Sequence, residues 1–216
     1  MLRDLIAAWA RGWSVSRGAP APVERPWGLR IDVGDSHQMV RYVLPDPDPA
    51  TVRALAATID LPASRIKAAA APETILPALP EGWVQDFTGY FMSCDLRRPA
   101  ARTLAGDYAL ATERHNGVLY ARVRASDGVD AARGQVALAG DVAVVDKIET
   151  ALPYRRRGLG TLVMETLVNA ALDDGATIGT LGATLQGRAL YESLGWSART
   201  PLPGFAYQPA AAARQP

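Results

Sequence analysis

Apolar and polar positions alternate with two different periods in the first hundred residues. Apolar residues at helical spacing predict amphipathic helices, and short alternating runs bounded by Gly, Pro and Asp predict strands. The predicted helices cover 2–14, 48–59 and 74–79, and the predicted strands cover 29–33, 40–44, 65–70 and 87–96. This part of the chain therefore mixes both kinds of element, without an internal repeat.

From residue 108 onward the pattern is more regular. Four strands are predicted in succession, over 108–113, 118–125, 134–139 and 142–150. Asn116-Gly117 between the first two favours the tight turn of a hairpin, because both residues tolerate a positive φ. A helix, a strand and a second helix follow, over 159–172, 177–183 and 186–194. The order predicts an α/β fold in which an antiparallel meander is followed by a parallel, right-handed strand–helix–strand crossover.

Composition narrows the possible functions. The net charge of +1 gives no electrostatic reason to expect a nucleic-acid or membrane-surface partner. A single cysteine, Cys94, and two histidines, His37 and His115, exclude a multi-cysteine or histidine-rich metal site, so no metal is expected. No run of 18 apolar residues exists, so a membrane span is not expected either. A cytoplasmic location is the default expectation.

The segment 142–160 carries the clearest candidate chemistry. It reads as a strand, a loop with three arginines (155–157), and a helix start that contains Gly158 and Gly160. Glycines allow close backbone approach, and the free N–H groups at a helix start attract anions. The combination suits a pyrophosphate, although a solvated basic turn is the plain alternative. The dinucleotide-binding and phosphate-loop glycine patterns are both absent.

Two motifs in this order resemble the GNAT acetyltransferase superfamily. The pattern Arg/Gln-x-x-Gly-x-Gly/Ala is matched by Arg155, Gly158 and Gly160, and the segment 187–196 is similar to the late helix of that family. The resemblance covers roughly 108–196. It implies a GNAT-like mixed sheet preceded by an N-terminal α/β extension, and it implies acetyl-CoA as co-substrate.

The resemblance also implies which residues hold acetyl-CoA. Main-chain groups of three strand residues would contact the pantetheine arm and thioester, the arginine–glycine loop would hold the pyrophosphate, and Thr184 stands where the family often has a cofactor-contacting asparagine. The implied cofactor-binding residues are Ile148, Glu149, Thr150, Arg155, Arg156, Arg157, Gly158, Leu159, Gly160 and Thr184.

Candidate catalytic residues follow from the same resemblance. Tyr191 matches the tyrosine that protonates the departing CoA thiolate, and packing in the core is its alternative role. Asp146 and Glu149 are candidates for the general base, with solvated strand carboxylates as the alternative. Strand alternation predicts that the two carboxylates lie on opposite faces of the sheet. Cys94 is interpreted as an incidental thiol rather than a nucleophile.

The predicted organisation has three parts. Residues 1–100 form an N-terminal α/β extension or a degenerate half-domain of a two-part member, residues 101–208 form the acetyl-CoA-binding domain, and residues 209–216 form a flexible tail. The predicted function is N-acetyl transfer from acetyl-CoA to a primary amine. A non-catalytic acyl-CoA-binding or regulatory module is the alternative. The expected partners are acetyl-CoA and an unidentified amine acceptor, and a homodimer is left open. Trp9 and Trp13 are interpreted as core residues, with an acceptor pocket or a dimer contact as the alternatives.

Overall fold

A computed structural model of the chain describes residues 2–99 and 106–209. In this part of the chain, two mixed β-sheets are flanked by helices. The helices are α1 (Leu2–Ser16), α2 (Pro49–Ala56), α3 (Pro72–Ile75), α4 (Leu159–Asp173) and α5 (Leu185–Ser193). The strands are β1 (Val23–Arg25), β2 (Gly28–Asp35), β3 (Gln38–Leu44), β4 (Ser64–Ala68), β5 (Trp83–Phe87), β6 (Gly89–Asp95), β7 (Tyr108–His115), β8 (Val118–Ala125), β9 (Asp130–Ala139), β10 (Val142–Thr150), β11 (Ile178–Thr184), β12 (Ser197–Pro201) and β13 (Gly204–Tyr207).

The larger sheet, called sheet B below, has seven strands in the order β12-β6-β11-β10-β9-β8-β7. Strands β7 to β10 form the predicted antiparallel meander, and β11 returns parallel to β10 after α4. Asn116 and Gly117 make the β7–β8 turn, both with a positive φ. The predicted mixed α/β fold is therefore confirmed in its central part.

The smaller sheet, called sheet A below, has six strands in the order β1-β2-β3-β4-β13-β5. Its β3 and β4 run parallel, and all its other neighbouring strands are antiparallel. The apolar side chains of α2 and α3 cover its outer face, where Val52, Ile66 and Phe205 are fully buried.

The two sheets repeat one topology and exchange one strand. The five-strand order β2-β3-β4-β13-β5 of sheet A corresponds strand by strand to β9-β10-β11-β6-β12 of sheet B, with the same parallel and antiparallel pairs. In each of these five-strand orders, the fourth strand comes from a distant part of the sequence. Strand β6 enters sheet B, and β13 enters sheet A. The predicted division at residue 100 stays a prediction, but the sheets do not follow sequence order.

Helix α1 lies between the sheets. Its Ile6, Trp9 and Trp13 are buried against residues of both sheets, including Ile31 of β2 and Val144 of β10. Gly12 is needed for this docking, because a Cβ there would lie 2.3 Å from Val144 Cγ2. The core interpretation of Trp9 and Trp13 is confirmed. The inner faces of sheets A and B thus face each other, while α4 and α5 cover the outer face of sheet B.

Four strands escaped prediction or were merged with neighbours. The segment predicted as one strand over 87–96 is split at Thr88 between two sheets, so its beginning belongs to β5. Strands β1, β12 and β13 were not predicted. No described helix is long and apolar enough to span a membrane. The cytoplasmic location stays a prediction, and most of the predicted tail, 210–216, lies outside the described residues.

Candidate active site

The arginine–glycine loop leads directly into α4. Arg156 has φ +62° and Gly158 has φ +77°, so the chain turns sharply before the helix begins at Leu159. A positive φ is costly for arginine and ordinary for glycine. Gly160 lies close to Thr150 and Leu190, which a Cβ would approach to 3.2 Å and 3.3 Å. The first turn of α4 is therefore seated tightly between β10 and α5.

The start of α4 presents a row of free N–H groups. None of the backbone N–H groups from residue 156 to 161 donates to a described residue, and no side chain caps the helix. The first intrahelical bond runs from Leu162 N to Gly158 O. Because α4 has 15 residues, its dipole adds partial positive charge at this end. The arrangement is suited to a polyanion.

The three arginines of the loop have different surroundings. Arg155 Nε donates to the carbonyl of Thr150 at 3.1 Å, and Arg157 Nη1 donates to the hydroxyl of Tyr108 at 2.9 Å. All three side chains are exposed. Arg155 and Arg157 therefore brace the loop as well as supplying charge.

Next to this loop the sheet opens. Strands β10 and β11 pair over only three residues each, from Val142 to Val144 and from Ile178 to Thr180. Beyond these pairs β10 continues to Thr150 and β11 to Thr184 without further strand pairing between them. The gap leaves main-chain groups of both strands available. Ile148, Glu149 and Thr150, the residues expected to contact a pantetheine arm, lie along one wall of the gap.

A β-bulge at Lys147 changes the face on which Glu149 lies. The register jumps from Asp146 opposite Gln135 to Glu149 opposite Arg133, and Lys147 has φ +52°. Gln135 and Arg133 are two residues apart, so they share a face of sheet B. The expectation of opposite faces was wrong, because the extra residue reverses the alternation. Asp146 and Glu149 both lie on the face that looks toward sheet A, while Ile148 packs near Gly134 on the α4 face.

Asp146 is held by the end of α1. Its carboxylate accepts hydrogen bonds from Arg17 Nε at 2.5 Å, from Arg17 Nη2 at 2.9 Å and from Ser16 Oγ at 3.0 Å. Burial raises the pKa of Asp146, but the hydrogen bonds and charge of Arg17, together with Ser16, outweigh burial and lower the pKa below its ordinary value. Asp146 is thus a carboxylate at neutral pH.

Glu149 lines a small cavity on the same face. Its Oε2 accepts from Arg133 Nη2 at 2.6 Å and Nε at 3.0 Å, and the pair is half-exposed. The cavity has a volume of about 250 Å³ and lies over the bulge. Its lining residues are Tyr120, Ala121, Arg122, Arg133, Gly134, Gln135, Lys147 and Glu149. Glu149 therefore borders this cavity, whereas Asp146 is not among its lining residues.

Tyr191 lies on α5 in the core of sheet B. It is 8% exposed, and its ring contacts Trp196 with centroids 6.4 Å apart. Burial, and to a lesser degree the charge of Asp146, raises the pKa of Tyr191 to about 12. Thr184 caps α5, because its Oγ1 accepts from Gly187 N at 3.0 Å. A Cβ on Gly187 would lie 3.8 Å from the Tyr191 hydroxyl, which places that hydroxyl by the first turn of α5, at the end of β11.

The corresponding place in sheet A has neither the loop nor the gap. Strands β3 and β4 stay paired over five residues, from Val40 to Leu44 and from Ser64 to Ala68. The N-terminus of α2 is capped by Asp48, whose Oδ1 accepts from the N–H groups of Ala50 and Thr51. A carboxylate thus already occupies the position that an anion would take. Within residues 2–99 and 106–209, an uncapped helix start beside parted parallel strands is thus found in sheet B and not at the corresponding place in sheet A.

Cys94 is the remaining candidate nucleophile of the sequence, and it lies on β6. Burial raises the pKa of the Cys94 thiol to about 12, so it is protonated and a poor nucleophile. Within residues 2–99 and 106–209, no three His, Cys, Asp or Glu side chains come together as metal ligands.

Comparison with known families identifies the fold. The acetyltransferase (GNAT) family model matches residues 75–196, more than half of the chain. The protein belongs to the GNAT acetyltransferase family. Membership supports acyltransferase activity with an acyl-CoA as the donor. In GNAT proteins this donor is typically acetyl-CoA. A comparison with curated protein sequences finds no significant match.

Solved structures of GNAT proteins resemble the whole chain. A GCN5-related N-acetyltransferase from Kribbella flavida has a TM-score of 0.67 at 17% identity, with 99% of this chain and 97% of that chain covered. A GNAT-family protein from Novosphingobium aromaticivorans has a TM-score of 0.59 at 17% identity, with coverages of 96% and 99%. A tandem GNAT protein from the clavulanic acid biosynthesis pathway has a TM-score of 0.54 at 14% identity, with coverages of 76% and 69%. At these identities the likeness shows the fold alone.

Proposed function

We propose that this GNAT protein transfers an acetyl group from acetyl-CoA to a primary amine, using the gap between β10 and β11 as the cofactor cleft. The observation that carries the proposal is the row of unpaired N–H groups at residues 156–161, directly beside that gap. These groups would hold the pyrophosphate. Main-chain groups of 148–150 would hold the pantetheine arm, and the thioester would lie where the strands part.

The reaction requires one attack and two proton movements. The neutral amine nitrogen attacks the thioester carbonyl carbon, and a backbone N–H of β10 stabilises the developing oxyanion. The C–S bond breaks, the nitrogen loses a proton, and the CoA sulfur gains one. The products are the N-acetylated amine and free CoA, so no oxidant or further reactant is needed.

We assign the acid role to Tyr191. With a pKa of about 12 its phenol stays protonated throughout the neutral range. An ordinary thiol has a pKa of about 8.5, so complete proton transfer from the phenol to a free thiolate would be unfavourable. The neutral phenol of Tyr191 is therefore assigned to stabilise the charge developing on the sulfur by donating a hydrogen bond, and net protonation of the thiolate is completed from solvent.

Two carboxylates compete for the base role. Glu149 is half-exposed and lines the cavity, so a proton accepted there can pass to solvent. Asp146 is occupied by three hydrogen bonds from α1. We propose Glu149 as the acceptor of the amine proton, directly or through water. We propose that Asp146 instead ties the bulge to α1, while its charge helps to raise the pKa of Tyr191.

Calorimetric titration with acetyl-CoA, followed by a turnover assay, tests the proposal. Tyr191→Phe should keep acetyl-CoA affinity and lower kcat by about a hundredfold or more, the usual contribution of a positioned acid. Tyr42→Phe is the matched control, because Tyr42 is equally buried but lies in sheet A. Loss of acetyl-CoA binding in the Arg155→Gln/Arg157→Gln variant would place the cofactor at the loop.

The alternative is a non-catalytic acyl-CoA-binding or regulatory module. Such a protein would bind acetyl-CoA at the same loop, and Tyr191→Phe would change neither binding nor any other measured property.

The capped α2 and the closed β3–β4 pair support the further proposal that the N-terminal part is a degenerate GNAT-like half without a cofactor site of its own. Intact protein that binds no acetyl-CoA would refute the acetyltransferase proposal.

A further inference from the structure

Three basic side chains line the inner face of sheet A, which looks toward the carboxylates of the bulge. Arg41 lies on β3, and Arg65 and Lys67 lie on β4; Arg41 and Arg65 are register partners. These three residues are called the basic cluster below. The proposed acetyl transfer does not use them, and the sequence pattern did not single them out.

Arg41 is buried without a carboxylate partner. It is 8% exposed, and its guanidinium lies 3.6 Å from the centroid of the Trp13 ring. One nitrogen donates to Gln38 Oε1 at 3.0 Å, a neutral acceptor. Its Nε and the Nε2 of Gln38 are buried and lack partners among the described residues. Burial, and then the nearby charge of Arg17, lowers the pKa of Arg41 to about 9.

Lys67 is buried in the same way. It is 8% exposed, its Nζ lies 3.3 Å from the centroid of the Phe87 ring, and it donates to no acceptor within the described part of the chain. The nearby Asp86 pairs instead with Arg65, at 3.1 Å. Burial, followed by the charge of Arg41, holds the pKa of Lys67 well below its ordinary value. Buried basic groups without acceptors are costly unless something supplies the missing anion.

Two chains of contact connect the basic cluster with the proposed site. Lys67 contacts Phe87, and Phe87 comes so close to Gly89 that a Cβ there would lie 2.6 Å from the ring and 2.0 Å from the carbonyl of Ala183. Gly89 pairs with Thr184, the residue that ends β11 and caps α5. Phe87 and Gly89 therefore connect the cluster with the end of β11 that borders the β10–β11 gap.

The second connection runs through α1. The Trp13 ring contacts the guanidinium groups of both Arg41 and Arg17, and Arg17 binds Asp146 on β10. In the described part of the chain, the carboxylates that pair with or act on Arg17 and the basic cluster are Asp86 and Asp146. Arg65 and Arg17 are about one third exposed, so this space opens to solvent on one side.

We infer that the acceptor amine carries an anionic oxygen group, a carboxylate or a phosphate, which the basic cluster binds while the amine faces the thioester. The inference rests on the proposed acetyl transfer. An anion between Arg41, Arg65 and Lys67 gives the unpaired donors an acceptor, and Arg41 and Arg65 present guanidinium groups suited to such oxygen pairs. An acceptor amine without an anionic group would gain no binding energy from the cluster.

Matched acceptor pairs test the inference. Acetyl transfer from acetyl-CoA is measured with glycine and glycinamide, L-phenylalanine and its amide, and O-phosphoethanolamine and ethanolamine, with rates corrected for the fraction of free amine. One or both kinds of acid should be preferred over their neutral partners by about tenfold to a hundredfold in kcat/KM, as charge-assisted hydrogen bonds predict. Equal use of acids and neutral partners would overturn the inference and leave acetyl transfer intact.

Lys67→Met supplies a readout that does not depend on turnover. Removing a buried, unpartnered amine should raise the Tm of the ligand-free protein and abolish the preference for acids. If Lys67 were only a structural contact to Phe87, the variant would lower Tm and keep the preference. Arg65→Gln gives the same selectivity test should Lys67→Met fail to fold, and Arg114→Met, an exposed arginine paired with Asp174, is the control for charge removal.

The two proposals fail separately. If acetyl-CoA does not bind, acetyl transfer fails, and the acids of the three pairs are then titrated alone. A Tm increase with an acid, absent with its neutral partner and absent in Lys67→Met, would still support the anion site. No such increase would overturn it.

Discussion

Replacing Asp146 with asparagine tests how strongly the bulge of β10 is tied to α1. The carboxylate accepts two hydrogen bonds from Arg17 and one from Ser16, and its side chain is 14% exposed. Asparagine keeps the shape of the side chain but removes its charge. The Arg17 side chain, 36% exposed, would lose its charged partner.

The size of the effect follows from these contacts. A hydrogen bond to a charged group contributes about 1.5–3 kcal/mol. Arg17 can recover part of its hydration, and asparagine can still accept one hydrogen bond. We therefore expect Asp146→Asn to lower the free energy of unfolding by about 2 kcal/mol. For a chain of this size that corresponds to a fall in Tm of roughly 4–8 °C.

Urea unfolding of Asp146→Asn, Arg17→Met and the double variant measures the interaction itself. Direct contact predicts that the double variant is less destabilised than the sum of the single ones, by about 1 kcal/mol or more. Additive losses, or an Asp146→Asn variant as stable as the wild type, would refute the assignment of this pair as the tie between α1 and sheet B.

The pH dependence provides a second check with a defined sign. The folded pKa of Asp146 is lowered from its ordinary value of 3.8, so the unfolded chain binds this proton more tightly than the folded protein does. The stability contribution is therefore complete above the ordinary pKa and is lost as pH falls through the lowered one. The difference between wild type and Asp146→Asn should be constant from about pH 5 to pH 8. A difference that disappears near neutral pH would contradict the lowered pKa.

The remaining predictions concern the loop and the thiol. Gly158 and Gly34 both have a positive φ, +77° and +74°, and a Cβ at either would meet no atom within 4 Å. Changing either to alanine should lower the free energy of unfolding, measured with urea, by about 1 kcal/mol. Only Gly158→Ala should also weaken acetyl-CoA binding, measured by calorimetry. Equal affinities of the two variants would mean that the loop is not part of the cofactor site. Cys94, with its pKa raised to about 12, should react with iodoacetamide at pH 8 about a hundredfold or more slowly than the thiol of the unfolded chain. Rapid alkylation of the folded protein would refute its assigned burial.

The loop and the central fold could be predicted because their signals are local. Gly158 and Gly160 mark the turn and the close approach at the start of α4, and Asn116-Gly117 marks the hairpin. Each of these features is set by a few neighbouring residues. The regular helix and strand periods around them then fix the meander and the crossover.

The faces of Asp146 and Glu149 could not be predicted in the same way. The bulge places Lys147 at φ +52°, a conformation that glycine or asparagine would have signalled and lysine does not. One extra residue in β10 then reverses every side chain that follows. The register with β9, a long-range property, determines the face on which the two carboxylates lie.

The basic cluster escaped prediction for a related reason. Arg41 and Lys67 occupy alternate positions of strands, where a polar residue normally indicates a solvated face. They are buried because sheet B and α1 cover that face. The short β12 and β13, with Pro201 and Pro203 around them, carry almost no pattern of their own and are recognised only through their partners.

The strand exchange also sets the order in which the protein can be completed during synthesis. Strands β4 and β5 emerge from the ribosome early, but β13, which belongs between them, follows only after all of sheet B has been made. Until then sheet A exposes two unpaired edges, which are sites for wrong association. Strand β6 is available in time for sheet B. The nascent chain therefore has to finish sheet B before it can close sheet A, which carries the basic cluster, and N-terminal fragments without β13 should aggregate.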